Sequence, residues 1–216
     1  YHIAEHHFTP LGLASSPSVF LSSVAQRTRA LRFGPLVYTL PMHQPLRLIE
    51  EICMLDQLSA GRFQLGVGKG VSPIETGYFG IDPQTRESRF TEILDILKQG
   101  MMSPKLSFKG EYFSFEEVPM ELEPVQKPHP PLWMGVATQS AARRAADLAA
   151  NFVSLSGATQ VREQMETFRQ ARQGDLHGLK VGLGRFVIVG ETDEEALQLA
   201  RQAYPKWHAH FHHLYH

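Results

Sequence analysis

Apolar positions along this chain switch repeatedly between a two-residue and a three-to-four-residue period, the mark of strands alternating with helices. Tyr1 to Glu5 predicts a short strand. Ser16-Pro17 then supplies an N-cap followed by the residue best tolerated in a first helical turn. Phe20, Val24 and Leu31 continue one apolar stripe at helical spacing. Leu31 to Leu40 predicts a longer strand, stopped by Pro41, and Pro45 opens a helix whose face is Leu48, Ile49, Ile52, Leu55 and Leu58. Ser59-Ala60-Gly61 ends that helix, and Phe63 to Gly68 predicts a third strand.

Phe90, Ile93, Leu94 and Leu97 then mark a helix over Ser88 to Gly100. The rhythm breaks across Met101 to Pro131, a proline-rich excursion in which Leu106-Ser107-Phe108-Lys109-Gly110-Glu111-Tyr112-Phe113 predicts a hairpin. Long insertions of this kind are commonly lids or binding loops. Alternation resumes with strand Leu132 to Val136, helix Ser140 to Ala150, strand Asn151 to Leu155 and helix Val161 to Gln173. Strand Val181 to Val189 follows, then a helix opening on the capping box Thr192-Asp193-Glu194-Glu195. Alternating strands and helices imply parallel pairing with right-handed crossovers. With about six strands and no glycine-rich dinucleotide turn after the first, the expected fold is a single-domain α/β chain over residues 1–216. It would be a (β/α)₈ TIM-type barrel seen without its first and last strands, carrying an inserted lid-like segment at residues 101–131.

Composition narrows the function classes. Among 216 residues there are 21 basic and 22 acidic side chains, so the charge balance gives no footing for nucleic acid or an anionic membrane. No apolar run approaches a membrane span. The lone Cys53 lies inside an apolar helical pattern and has no partner for an internal disulfide, which fits a cytoplasmic location. The chain begins at Tyr1 in mid-pattern, so a longer natural protein is expected.

The densest chemistry is Ala4-Glu5-His6-His7-Phe8, placed at a strand end. Histidine titrates nearest to neutral pH, and strand ends are where barrel enzymes set their catalytic groups. Side chains alternate along an extended backbone, so only one imidazole can point into the barrel mouth, and Glu5 points with the other or fixes the first by a hydrogen bond. Zinc needs three convergent ligands and no second cluster of suitable spacing appears, so acid–base chemistry is favoured over a metal. Further on, Gly66-Val67-Gly68-Lys69-Gly70 ends a strand in three alternating glycines around a lysine. Such glycines admit a ligand close to the backbone, and Lys69 could meet a phosphate; the spacing is not that of a Walker loop. Asp56 and Arg62 are expected to pair across the turn between them. His208, His212 and His216 share one face of a continued terminal helix, where a polar helix end is favoured over a metal site. Trp133 and Met134 are expected to fill the barrel.

Taken as a set, Glu5-His6-His7-Phe8, Leu40-Pro41 with His43 and Pro45, Leu55-Asp56-Gln57-Leu58-Ser59 with Gly61-Arg62, and the Gly66, Gly68, Gly70 run resemble the bacterial luciferase-like flavin monooxygenases. The run Pro124 to Gly135 is similar to the strand entry after the insertion in that family. The resemblance covers nearly all of the chain in order and spacing.

It implies a TIM-type barrel holding reduced FMN at the C-terminal ends of its strands, where oxygen is activated to oxidise a small organic substrate. By the same resemblance His6 serves in proton transfer, with His7 and Glu5 beside it. Lys69, next to Gly68, and Thr138 at the start of a helix would meet the flavin phosphate, and Arg86 and Arg89 compete for a further contact. A non-proline cis peptide would fall at Leu36-Val37. Luciferase has a cysteine where this chain has Gly68 and an arginine where it has Lys69, so light emission does not follow. A separate flavin reductase and a homodimer, formed through the helix Leu48 to Leu58, are implied partners. A deazaflavin-dependent oxidoreductase and a non-catalytic flavin-binding protein are the alternatives on the same barrel.

Overall fold

Three prolines start three helices of this fold. Pro17, Pro45 and Pro73 each stand in a first helical turn, where a missing amide costs no hydrogen bond. The computed structural model describes residues 1–215. Strand β1 (His2–Ile3) leads to helix α1 (Pro17–Arg27), then β2 (Gly34–Pro35), β3 (Tyr38–Thr39) and α2 (Pro45–Leu58). After these come β4 (Leu65–Gly68), α3 (Pro73–Tyr78), α4 (Arg86–Met102) and the strands β5 (Lys105–Lys109) and β6 (Ser114–Pro119). The chain closes with β7 (Leu132–Gly135), α5 (Gln139–Asp147), β8 (Asn151–Ser154), α6 (Ala158–Ala171), β9 (Val181–Leu183) and α7 (Asp193–His212).

β1 pairs in parallel with β2, and β3, β4, β7, β8 and β9 follow one another in parallel. A parallel bridge from Phe33 to Phe63 ties β2 to the strand leading into β4. The described strands thus form a parallel arc with helices in its crossovers, as in the wall of an α/β barrel. One consequence matters for function. The C-terminal ends of the parallel strands in the arc lie on one rim.

The core fills the space between the arc and its helices, with Phe33, Tyr38, Phe63, Leu65 and Phe152 from the strands and their entries meeting Ile49, Ile52, Phe90, Ile93 and Phe168. Helix α1 departs from the expected stripe. Pro17, Leu21 and Ala25 face inward, whereas Phe20 and Leu31 are each 42% exposed. Val24 of the expected stripe packs partly buried against the core, beside the ridge of Pro17, Leu21 and Ala25. The segment Leu31 to Leu40 is interrupted between β2 and β3, and its Leu36–Val37 peptide is cis, as the family resemblance implies. Beyond Leu183 the expected strand to Val189 is absent: β9 is the last strand of the described arc, and Phe186, Val187 and Val189 lie exposed.

Helix α3 carries no apolar period, having the sequence Pro-Ile-Glu-Thr-Gly-Tyr, and its only signal is the cap. Ser72 Oγ accepts the Glu75 amide at 3.1 Å. The hairpin exists, but its turn falls later than expected, leaving residues 110–113 outside the ladder. The reason is Glu92 on α4, whose carboxylate accepts the amides of Glu111, Tyr112 and Phe113 at 2.7–3.2 Å. Donors taken by the helix are not available to the strands.

The return leg of the excursion packs against the turn between α2 and β4. Asp56, fully buried, accepts the Gln126 backbone amide at 2.8 Å and the Gln126 side-chain amide at 2.7 Å. The expected Asp56–Arg62 pair does not form. Arg62 instead donates to the carbonyls of Ala25, Leu31 and Ser59 at 2.8–2.9 Å, because three helix and loop ends converge there without amide partners. That turn lies at the N-terminal end of β4, the opposite end from the strand C-termini. On α2, Leu48 and Leu55 belong to the core, and the exposed apolar residues are Met54 and Leu58. No described helix is long and apolar enough to cross a membrane. Cys53 is a free, buried thiol that burial pushes up to about 12. Among the C-terminal histidines, His208 and His212 are ring neighbours on α7, and His216 lies outside the described residues.

Candidate active site

Beyond the end of β1, alternation sets Glu5 and His7 on one side and His6 on the other, and the hydrogen bonds divide accordingly. The Glu5 side chain, 1% exposed, accepts the Thr39 amide at 2.5 Å and stands 2.9 and 3.1 Å from His43 Nε2. With the proton on Nε2, His43 donates to the carboxylate. His7 Nε2 lies 3.4 Å from Glu5 Oε1, close enough to attract but without hydrogen-bond geometry. Burial alone would push the Glu5 carboxyl up. The contacts that His43, His7 and the Thr39 amide make with the carboxylate outweigh it and hold the group at about 2.

His6 faces a second carboxylate. Its Nδ1 is 3.2 Å from both oxygens of Glu75, which also accepts the His7 backbone amide at 2.8 Å. Glu75 is buried on α3. The two imidazoles predicted at this strand end therefore each meet a carboxylate, and both carboxylates arrive with backbone donors attached. Glu75 and His43 are site residues that apolar periodicity does not mark. The signal for Glu75 was the Ser72-Pro73 cap, and His43 stood only as part of a family pattern. Behind His7 and His43 opens a cavity of about 260 Å³ that also touches Ser18, Glu51 and Phe79. Ser18 Oγ donates to Glu51 at 2.6 Å and accepts the Tyr38 hydroxyl at 2.8 Å, whose burial raises its pKa.

A second cluster surrounds the start of α4, on the same rim. Lys69, directly after β4, donates to Glu87 at 2.8 Å. Arg144 on α5 pairs with the other Glu87 oxygen, and its guanidinium lies over the Phe90 ring. The Lys69 hydrogen bond, opposed by partial burial and joined by Arg144, lowers the Glu87 pKa. Next to this neutralised trio, Arg86 Nε and Nη1 and Arg89 Nε are buried with no hydrogen-bond partner among the described residues. Arg89 Cζ stands 4.7 Å from the Tyr112 ring centroid and 5.6 Å from that of Phe113. Thr138 Oγ1 caps α5 by accepting the Ala141 amide at 3.2 Å and lies 2.9 Å from Ser140 Oγ. Of the basic residues expected near an anion, Lys69 is already paired, while Arg86 and Arg89 hold spare donors.

The loop after β4 touches both clusters. A Cβ on Gly70, whose φ is +80°, would lie 2.7 Å from Thr39 Cγ2, and Thr39 is the residue held by Glu5. The room left by Gly66 and Gly68 is taken by the adjoining strand rather than left open. A Cβ there would come within 2.1 Å of the Pro35 carbonyl oxygen and 2.5 Å of Val37 Cγ2 respectively. Trp133 donates Nε1–H to Gln64 at 2.9 Å and tilts against the His2 ring, while Met134 is buried as expected.

Known proteins share this fold. The sequence profile described as luciferase-like monooxygenase matches residues 1–215. The chain belongs to that family. It is 46% identical over its whole length to the uncharacterised y4wF protein of Sinorhizobium fredii, of which it spans 64%. Monooxygenase RslO1 from Streptomyces bottropensis superposes with a TM-score of 0.89 at 25% identity, covering 97% of this chain and 66% of that one. The oxygenating constituent of 3,6-diketocamphane monooxygenase from Pseudomonas putida, a type II Baeyer–Villiger enzyme solved with FMN, superposes at 0.82 with 22% identity, covering 93% and 60%. The luciferase-like members thus fix the fold as a TIM-type barrel, of which the described strands are the arc.

Proposed function

We propose that this chain carries the flavin-binding rim of a monooxygenase that takes reduced FMN, oxygen and a small organic substrate. The observation that carries the reading is the set of buried, unpartnered guanidinium nitrogens on Arg86 and Arg89, on the rim that also holds His6 and His7. A buried donor without an acceptor is costly, so such groups mark a place where an acceptor binds. An anion of phosphate type satisfies planar guanidinium donors better than any single neutral group. FMN in the 3,6-diketocamphane monooxygenase complex agrees with that choice, as does family membership. When bound, the reduced flavin supplies the electrons and activates oxygen.

In this reading Arg86 and Arg89 hold the phosphate, with Lys69 drawn from Glu87 toward it and Thr138 offering a hydroxyl at the α5 start. Gly68, Leu36 and Val37 form the packed floor beneath the ring. Glu75 fixes the His6 ring through Nδ1 and leaves Nε2 to carry a proton at the reacting centre. Glu5 sets His7 and His43 around one buried negative charge.

The test is titration of the purified protein with reduced FMN under nitrogen, then oxygen uptake on mixing with air and candidate substrates. Binding with uptake that drops on the order of 10²-fold in His6→Ala, at unchanged FMN affinity, supports the reading. Tighter binding of a reduced deazaflavin than of FMN, with no oxygen uptake, would replace it with hydride transfer.

A further inference from the structure

The hairpin β5–β6 does more than extend the chain between two barrel strands. Its tip, residues 110–113, comes back to the first turn of α4, where Arg86 and Arg89 lie. Glu92 accepts three consecutive tip amides, so the tip is fixed to the same helix that carries the arginines. A second tie joins Tyr112 OH to Ser88 Oγ at 2.8 Å. Between these anchors the rings of Tyr112 and Phe113 lie against the Arg89 guanidinium at 4.7 and 5.6 Å, and Phe113 is in turn stacked on Phe115 at 6.2 Å. No acidic side chain is paired with Arg89 among the described residues. Aromatic faces thus hold the guanidinium without satisfying its donors, a combination that orients a cation while leaving its hydrogen bonds for something else.

We propose that Tyr112, clamped by Glu92, is a positioning residue that aims Arg89 at the phosphate of the flavin. The inference rests on the reading of Arg86 and Arg89 as the phosphate contact and adds the device that sets one of them. It assigns the excursion a role at the cofactor end of the rim through its tip. A carboxylate could have oriented Arg89 equally well, but it would compete with the incoming anion for the same donors. An aromatic face does not compete. Gly110 belongs to the device: a Cβ there would lie 2.3 Å from Glu92 Cδ, so a larger residue would have to displace the carboxylate that holds the tip amides.

The experiment compares oxidised FMN with riboflavin, which lacks the phosphate, by flavin fluorescence quenching in the wild type, Arg89→Ala, Tyr112→Leu and Tyr112→Phe. Riboflavin affinity reports whether the ring site and the fold are intact. Arg89→Ala is expected to lose about tenfold in FMN affinity with riboflavin unchanged. Tyr112→Leu should lose about threefold for FMN alone, and Tyr112→Phe, which keeps the ring face, should stay within about twofold of wild type. If Arg89→Ala weakens FMN but Tyr112→Leu does not, the positioning role is overturned and the phosphate reading survives. Equal loss of riboflavin and FMN in Tyr112→Leu also overturns it, since the hairpin would then support the fold. If Arg89→Ala leaves the preference for FMN over riboflavin intact, the phosphate reading fails and the positioning role with it.

Discussion

Two clusters share one rim of this barrel and differ in a single physical respect. Around Glu5 and Glu75, the buried carboxylates have found donors: the Thr39 amide and His43 for Glu5, His6 and the His7 amide for Glu75. Around Arg86 and Arg89, buried nitrogens have found none. In the first cluster both carboxylates are satisfied by the chain itself, and the one buried atom left without a hydrogen bond among the described residues is His7 Nε2, 3.4 Å from Glu5. The second is left incomplete by the chain, and the free energy of its unmade hydrogen bonds is available to an incoming anion. A satisfied cluster suits proton chemistry, which needs rings held in one orientation. An unsatisfied one suits binding.

The contrast predicts opposite responses to removal of its central groups. Replacing Glu5 by alanine leaves the Thr39 amide and two imidazoles without their shared acceptor in a buried place, and should cost about 3–5 kcal/mol of stability. Urea denaturation at neutral pH checks this, and a loss below 1 kcal/mol would show the cluster is not the closed unit described. Acid should reach the same contacts more gradually. The Glu5 carboxyl sits at about 2 in the folded protein against an ordinary 4.5, so its contribution is complete above about pH 4.5 and is lost as pH falls from there toward 2. The linked loss is of order 3 kcal/mol, and Glu5→Gln should flatten this part of the stability–pH curve. Smallest is the change expected at the open cluster. Arg86→Met removes buried, unpartnered donors and keeps the apolar stem, so the flavin-free protein should gain up to about 1 kcal/mol in thermal unfolding while FMN affinity drops. A less stable Arg86→Met protein would mean that the guanidinium is already satisfied, and the distinction between the clusters would dissolve.

The sequence marked the two clusters unequally, for physical reasons. His6, His7 and Glu5 were legible because an acid and two imidazoles at a strand end are conspicuous, and strand alternation set the two imidazoles apart, His6 meeting Glu75 and His7 meeting Glu5. Glu75 and His43 were not, since partners contributed by other elements leave no mark on local periodicity. Most elements could be read from their apolar period: α2, α4 and the strands β4, β7 and β8 lie where it put them, within a few residues. The failures came where a tertiary partner overrode local pattern. Glu92 took the donors expected for the hairpin ladder, the carbonyls near Ser59 took Arg62 from Asp56, and α1 buries Leu21 and Ala25 while Phe20 of the expected stripe stays exposed. Gly66 and Gly68 read as room for a ligand, and a neighbouring strand occupies that room. Among basic residues, Lys69 was conspicuous between glycines, yet the spare donors belong to Arg86 and Arg89, a fact that only burial and pairing reveal.

The most direct measurement is a crystal structure of the protein soaked with FMN. The phosphate is expected within hydrogen-bond distance of Arg86 Nη1 and the Arg89 guanidinium, with the isoalloxazine edge toward His6 and His7. A flavin whose phosphate sits elsewhere, with both arginines still unpartnered, would contradict it.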